Sequence, residues 1–138
     1  MASAFNKFES FAGAVGLEKH ELNADAVMAI LTNTIPTAGM ELYAEVSGNE
    51  LGTGNGYTAG GEDIQNLYSE AGGIGTMTAT DVVWTATGAV GPFQYVVLYN
   101  ADAPADELVG WYDYGSEVTL ADTETFTLDF GASVLTIE

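Results

Sequence analysis

Carboxylates are the residues from which this chain could build chemistry. Twenty Asp and Glu stand against two cations, Lys7 and Lys19, with one histidine and no cysteine. Glycoside hydrolysis needs two carboxyls at a set separation in a cleft, one of them raised in pKa by apolar surroundings. Asp113 with Glu117, and Asp102 with Glu107, are pairs that spacing alone would allow, and Asp113 has the most apolar setting, beside Trp111, Tyr112 and Tyr114. Spacing along a chain does not establish separation in space, so the expected role of Asp113 is structural, accepting turn N–H groups. Hard cations also take oxygens from loops. Asp102, Asp106 and Glu107, or Asp122 and Glu124, are candidate calcium ligands, although their spacing is not that of an EF-hand loop. Without cysteine there is no disulfide, thiolate nucleophile or thiolate metal site. The single His20, inside Glu18-Lys19-His20-Glu21, reads as a solvated loop histidine, and no Gly-x-Ser-x-Gly elbow is present. The expectation is a protein that is not an enzyme and uses no cofactor.

The glycine-rich stretch over residues 52–61 invites comparison with phosphate cradles. A P-loop ends in Gly-Lys-Ser/Thr, and the dinucleotide fingerprint needs a strand before it and a helix after it. Neither context is present, and Glu62 and Asp63 follow at once, so the stretch reads as a surface loop or a loop at a subunit contact. A formal net charge of −18 speaks against polyphosphates in general. Nucleic-acid binding depends on Lys and Arg neutralising phosphates, and anionic membranes are disfavoured by the same sign argument. The start of the chain has no basic region followed by an apolar one, and no run approaches the roughly 18 apolar residues of a membrane span, so neither a standard secretory signal nor a membrane segment is expected.

These side chains must be positioned by a core, and 138 residues suffice for one. The clearest text lies between Trp84 and Tyr114. Residues 93–99 are apolar except for Gln94, as in a strand covered on both faces; residues 100–107 supply turn formers and charge; residues 108–115 resume the apolar run. The reading is a central hairpin, entered through a turn at Gly91-Pro92. Residues 125–130 alternate strictly, which sends Phe126, Leu128 and Phe130 inward and Thr125, Thr127 and Asp129 outward. Residues 25–34 suit a first strand, with a helix left open, and residues 42–46 a short strand or a turn of helix. In residues 62–80, Ile64, Leu67 and Tyr68 have helical spacing, and Thr76-Met77-Thr78 suits an edge strand. Phe5, Phe8, Phe11, Ala12 and Val15 recur at helical spacing, predicting a short amphipathic helix of about three turns. The fold class is therefore mainly β, an antiparallel β-sandwich or jelly-roll-like barrel, with residues 1–20 as an N-terminal helix or arm and residues 21–138 as one domain.

Several motifs in order carry a resemblance: Asn6-Lys7-Phe8; Leu31-Thr32-Asn33-Thr34 with Pro36; Gly54-Asn55-Gly56-Tyr57-Thr58-Ala59-Gly60-Gly61; Trp84; Gly91-Pro92-Phe93 through Tyr99-Asn100; Gly110-Trp111-Tyr112-Asp113-Tyr114-Gly115; and Glu124-Thr125-Phe126 through Asp129-Phe130. Over nearly the whole chain this pattern resembles small acidic proteins encoded near the capsid genes of tailed bacteriophages. The resemblance implies a virion structural protein, a capsid decoration or cement protein on the outer surface of the shell. Its implied partners are the major capsid protein and further copies of itself, as a dimer or trimer at capsid symmetry axes. Phe5, Lys7, Phe8 and Phe11 are the expected docking arm, with Asn55 and Tyr57 of the glycine loop as further contact candidates. A tail or neck component of the same virion and a carbohydrate- or calcium-binding β module, with Trp111, Tyr112 and Tyr114 as a stacking platform, are the alternatives.

Overall fold

A computed structural model describes residues 4–138. In chain order the elements are β1 (Asn6–Lys7), α1 (Ser10–Gly16), β2 (Val27–Thr32), α2 (Ala44–Ser47), β3 (Glu62–Asp63), β4 (Leu67–Ala71), β5 (Ile74–Thr78), β6 (Val82–Thr85), β7 (Val90–Asn100), β8 (Leu108–Leu120), β9 (Thr125–Leu128) and β10 (Leu135–Ile137). Every pairing is antiparallel, in sheets ordered β1-β8-β7-β2-β3, β10-β5-β4 and β6-β9. The fold is mainly β, as the alternating pattern predicts.

Period-two geometry explains why the five-stranded sheet is apolar on both faces. Val27, Ala29 and Leu31 of β2, with Val96 and Leu98 of β7, enter the larger core, where they meet Met77 of β5, Val82 and Trp84 of β6, and Leu128 of β9. Ile30, Val97 and Tyr99 alternate with them into a second, smaller core that is closed by Phe8, Val46 and Leu108. The predicted hairpin is thus the middle of the structure. In β8 the partners of Leu98 and Tyr99 are Gly110 and Leu108, so Val109 is an extra residue. That bulge keeps Tyr112 facing the larger core and Trp111 the smaller.

The structure corrects five local expectations. Gly91-Pro92 does not turn the chain; both residues lie inside β7, in the irregular stretch between the pairs Val90 with Leu120 and Phe93 with Val118. The helical spacing of Ile64, Leu67 and Tyr68 does not make a helix: Ile64 is fully buried while Leu67 is 62% exposed, so they share no face. Gly72 and Gly73, at φ 60° and 85°, form a two-residue turn that suits a tight hairpin, and β4 pairs with β5 across it. Thr76-Met77-Thr78 is no edge, since β5 lies between β4 and β10. The N-terminal helix is shorter than three turns and starts at Ser10, because residues 6 and 7 pair with Trp111 and Gly110 of β8. Its buried residues are Phe11 and Ala14, whereas Phe8 precedes it and drops into the opposite core. Finally, the polar stretch around His20 is folded against the domain, as described below.

Glycine is required where β1 approaches β8. A Cβ on Gly110 would stand 2.2 Å from the Phe5 ring and 2.7 Å from the Asn6 carbonyl oxygen, so any larger residue would push β1 off the sheet.

Candidate functional site

The expected contact residues divide by burial. Phe8, Phe11 and Tyr57 are 0%, 4% and 2% exposed and belong to the chain's own cores, where their rings hold the fold together. This corrects their assignment to a docking arm and a contact loop. Phe5 is half-buried and meets Tyr112 edge-on at 5.6 Å. Lys7 and Asn55 remain exposed. Lys7 stands at a cleft of about 410 Å³ between α1 and β10, lined also by Phe11, Ala12, Val15, Ile137 and Glu138. Asn55, at φ 55°, shapes the tip of the glycine loop and donates from Nδ2 to the Ala89 carbonyl at 2.9 Å, tying the loop to the turn before β7.

The carboxylates flagged for chemistry are engaged separately, mostly by backbone. Asp113 accepts from Gly115 N–H at 2.7 Å and from Gln94 Nε2 at 2.9 Å, the structural role expected of it. Glu117 accepts from Asn33 Nδ2. Asp102 accepts from Ala26 N–H at 2.8 Å, Glu107 from Ala105 N–H at 2.8 Å, and Glu124 from Ala121 N–H at 2.7 Å. Among the described residues no three His, Asp or Glu side chains converge on a point that would hold a metal ion. The aromatic triplet is not a platform. Tyr112 is buried, with its phenol pushed up to about 12 by burial. Trp111 faces the other side against Phe8 at 4.7 Å, and only Tyr114 is exposed, edge-on to Phe126.

Two polar nodes emerge instead. In the first, Glu50 accepts from the hydroxyls of Tyr43 and Tyr57, the latter at 2.6 Å, and from Gly60 N–H at 2.7 Å. Tyr57 Oη accepts in turn from Leu31 N–H at 3.1 Å, and Tyr99 donates to the Gly60 carbonyl at 2.7 Å. The Tyr43 and Tyr99 rings stack at 4.1 Å. Burial, and then the hydrogen bond to Glu50, raise the Tyr43 and Tyr57 phenols above their ordinary range; burial, then the charges of Glu50 and Asp106, push Tyr99 up to about 12. These phenols stay protonated at neutral pH and act as fixed donors, so the node fastens the glycine loop to β2 and β7.

The second node is centred on Asn100, which is fully buried. Its Oδ1 accepts from the N–H groups of Asp102 and Ala103 at 2.9 and 3.0 Å. Its Nδ2 donates to Asp25 Oδ2 at 2.7 Å and lies 3.0 Å from His20 Nδ1. His20 stacks on Phe11 at 5.2 Å and its Nε2 is buried without a partner, which corrects the expectation of a solvated histidine. Desolvation lowers its pKa, against the opposing pull of Glu107 and Asp25. Glu107, 4% exposed, lies 3.9 Å from Lys19. The node joins the segment after α1 to the β7–β8 loop.

Sequence reasoning missed Glu50, Tyr43, Tyr99, Asp25 and Asn100 as a set. Asn100 was legible only as a turn former, because its side-chain partners lie 75 and 80 positions away. Comparison with protein-family models, with curated proteins and with solved structures returns no match for this chain.

Proposed function

We propose that this chain is a virion structural protein, a capsid decoration or cement protein of a tailed bacteriophage that binds the outside of the major capsid protein shell and stabilises it. The observation that carries the reading is the sign of its surface: of twenty acidic residues only Glu107 is buried, over a tightly fastened antiparallel fold with two cations in all. Lys19 is drawn to Glu107, which leaves Lys7 as the cation without an ion pair among the described residues. Such a coat is repelled by packaged DNA and attracted by basic protein patches, which favours a seat outside the shell. The motif resemblance over nearly the whole chain supports the same assignment. The two polar nodes fit a passive role, since both hold loops rigid and neither aims a reactive group at solvent. Recognition then falls to exposed carboxylates and to loops such as that of Asn55.

Cryo-electron microscopy of virions from the encoding phage tests this directly. Density for this fold at symmetric positions on the outer shell is expected. Density confined to the tail or neck would replace the reading by that alternative, and particles lacking the protein altogether would overturn it.

A further inference from the structure

The outward face of the β10-β5-β4 sheet is uncharged across three strands, a wider area than the similarly uncharged two-stranded face formed by Val83 and Thr85 of β6 with Thr125 and Thr127 of β9. Tyr68, Met77, Leu135 and Ile137 face inward onto the larger core. By alternation Leu67, Ser69 and Ala71 of β4, with Ile74, Thr76 and Thr78 of β5, face away from it. Thr136 of β10, opposite Thr76, extends that face. None of these residues is charged, in a chain of net charge −18. Leu67 and Ile74 are 62% and 42% exposed, although both are large and apolar. The two carboxylates at the rim turn aside. Glu70 folds back to accept from Gly73 N–H at 2.7 Å, and Glu138 lines the cleft beside α1.

We infer that this face is the seat of a second copy of the chain, in an isologous dimer with β4 and β5 of each copy packed across a twofold axis. The choice of occupant follows from charge. A basic partner would be recognised by carboxylates, and this face has none to offer. A second copy carries the same negative coat and can approach closely only where neither surface bears carboxylates. Small side chains around Leu67 and Ile74 let two such faces close to the roughly 10 Å spacing of packed sheets, and twofold symmetry sets each apolar pair against its equivalent. Copies of the chain are among the partners that the resemblance implies; the inference assigns the face they share from its charge and exposure, and holds whether or not the chain sits on a shell.

Sedimentation equilibrium of the isolated full chain tests it. At roughly 1 M NaCl the screening length is about 3 Å, which removes the repulsion between the two coats. A species of twice the chain mass is expected there, with dissociation at low salt. The double variant Leu67→Glu/Ile74→Glu, at exposed positions, should keep the wild-type circular dichroism and sediment as a monomer. As a second measurement, the chain lacks cysteine, so Thr76→Cys places a single thiol at the middle of the face. Oxidation should give a covalent dimer from Thr76→Cys and none from Ser47→Cys on the exposed α2. A wild-type monomer in high salt, a trimer or larger species, a dimer surviving the double variant, or equal cross-linking at both thiols would overturn the inference. So would loss of binding to another protein by the double variant while the wild type stays monomeric, since the face would then belong to that partner.

Discussion

Replacing Asn100 by alanine tests whether the buried node holds the connection after α1 onto the central hairpin. The side chain makes four polar contacts: two accepted from backbone N–H groups at 2.9 and 3.0 Å, one given to Asp25 at 2.7 Å and one shared with His20 at 3.0 Å. Neutral bonds contribute about 1 kcal/mol each and a bond to a charged group about 2 kcal/mol. Their sum is about 5 kcal/mol, and water reaching the partly exposed Asp25 and Asp102 side of the node reduces the expected loss to about 3 kcal/mol. With an unfolding entropy of about 2.1 cal/mol/K per residue over 138 residues, that loss lowers Tm by roughly 10 °C. Urea titration of Asn100→Ala, Asp25→Ala and the double variant gives the coupling. The two losses should fall short of additivity by about 1–2 kcal/mol, because each single change already breaks the shared bond. A loss below about 0.5 kcal/mol for Asn100→Ala, or strict additivity with Asp25→Ala, would refute the node as a structural tie.

The same node has a pH signature. Because burial lowers the folded-state pKa of His20 below 6.5, the unfolded chain takes up the proton first, and this contribution to stability falls as pH drops through 6.5. Lys19, Glu21, Asp25 and Glu107 lie around it, so the slope should be read as the difference between wild type and His20→Gln from about pH 7 to 5, and identical slopes would remove the assignment. At the other node, Tyr57→Phe deletes the donor to Glu50 and the acceptor for Leu31 N–H; a loss of about 2 kcal/mol and faster amide exchange at Leu31 and Gly60 are expected, and unchanged exchange would show that the glycine loop is held otherwise. Gly61→Ala places a Cβ 2.2 Å from the Ala29 carbonyl oxygen at φ 87°, which should destabilise by at least about 2 kcal/mol in thermal melts, with a wild-type melt as the refuting result. Leu128→Asp puts a carboxylate where a 6% exposed side chain stood in the larger core, at a cost of roughly 4 kcal/mol or more; a cooperative transition at wild-type temperature would contradict the inward orientation of that strand.

Short-range periodicity and composition specify one part of this fold directly from the order of residues. Alternation over residues 125–130 sent Phe130 and Leu128 inward and Thr125 and Thr127 outward, and the apolar run of residues 93–99 marked a strand covered on both faces. Local period suffices there because β geometry repeats every two residues. It failed where a partner decides the outcome. Residues 6 and 7 lie in a helical pattern but pair with β8, and Ile64, Leu67 and Tyr68 share a helical spacing that the Gly72-Gly73 turn overrides by closing a hairpin. Only the tertiary structure could decide that Phe8 and Phe11 enter opposite cores, that His20 stacks on Phe11 beside Asn100, and that one carboxylate, Glu50, gathers two tyrosines and a loop amide. Those contacts join positions far apart in the chain, and the free energy that selects them exists only once the sheets have closed.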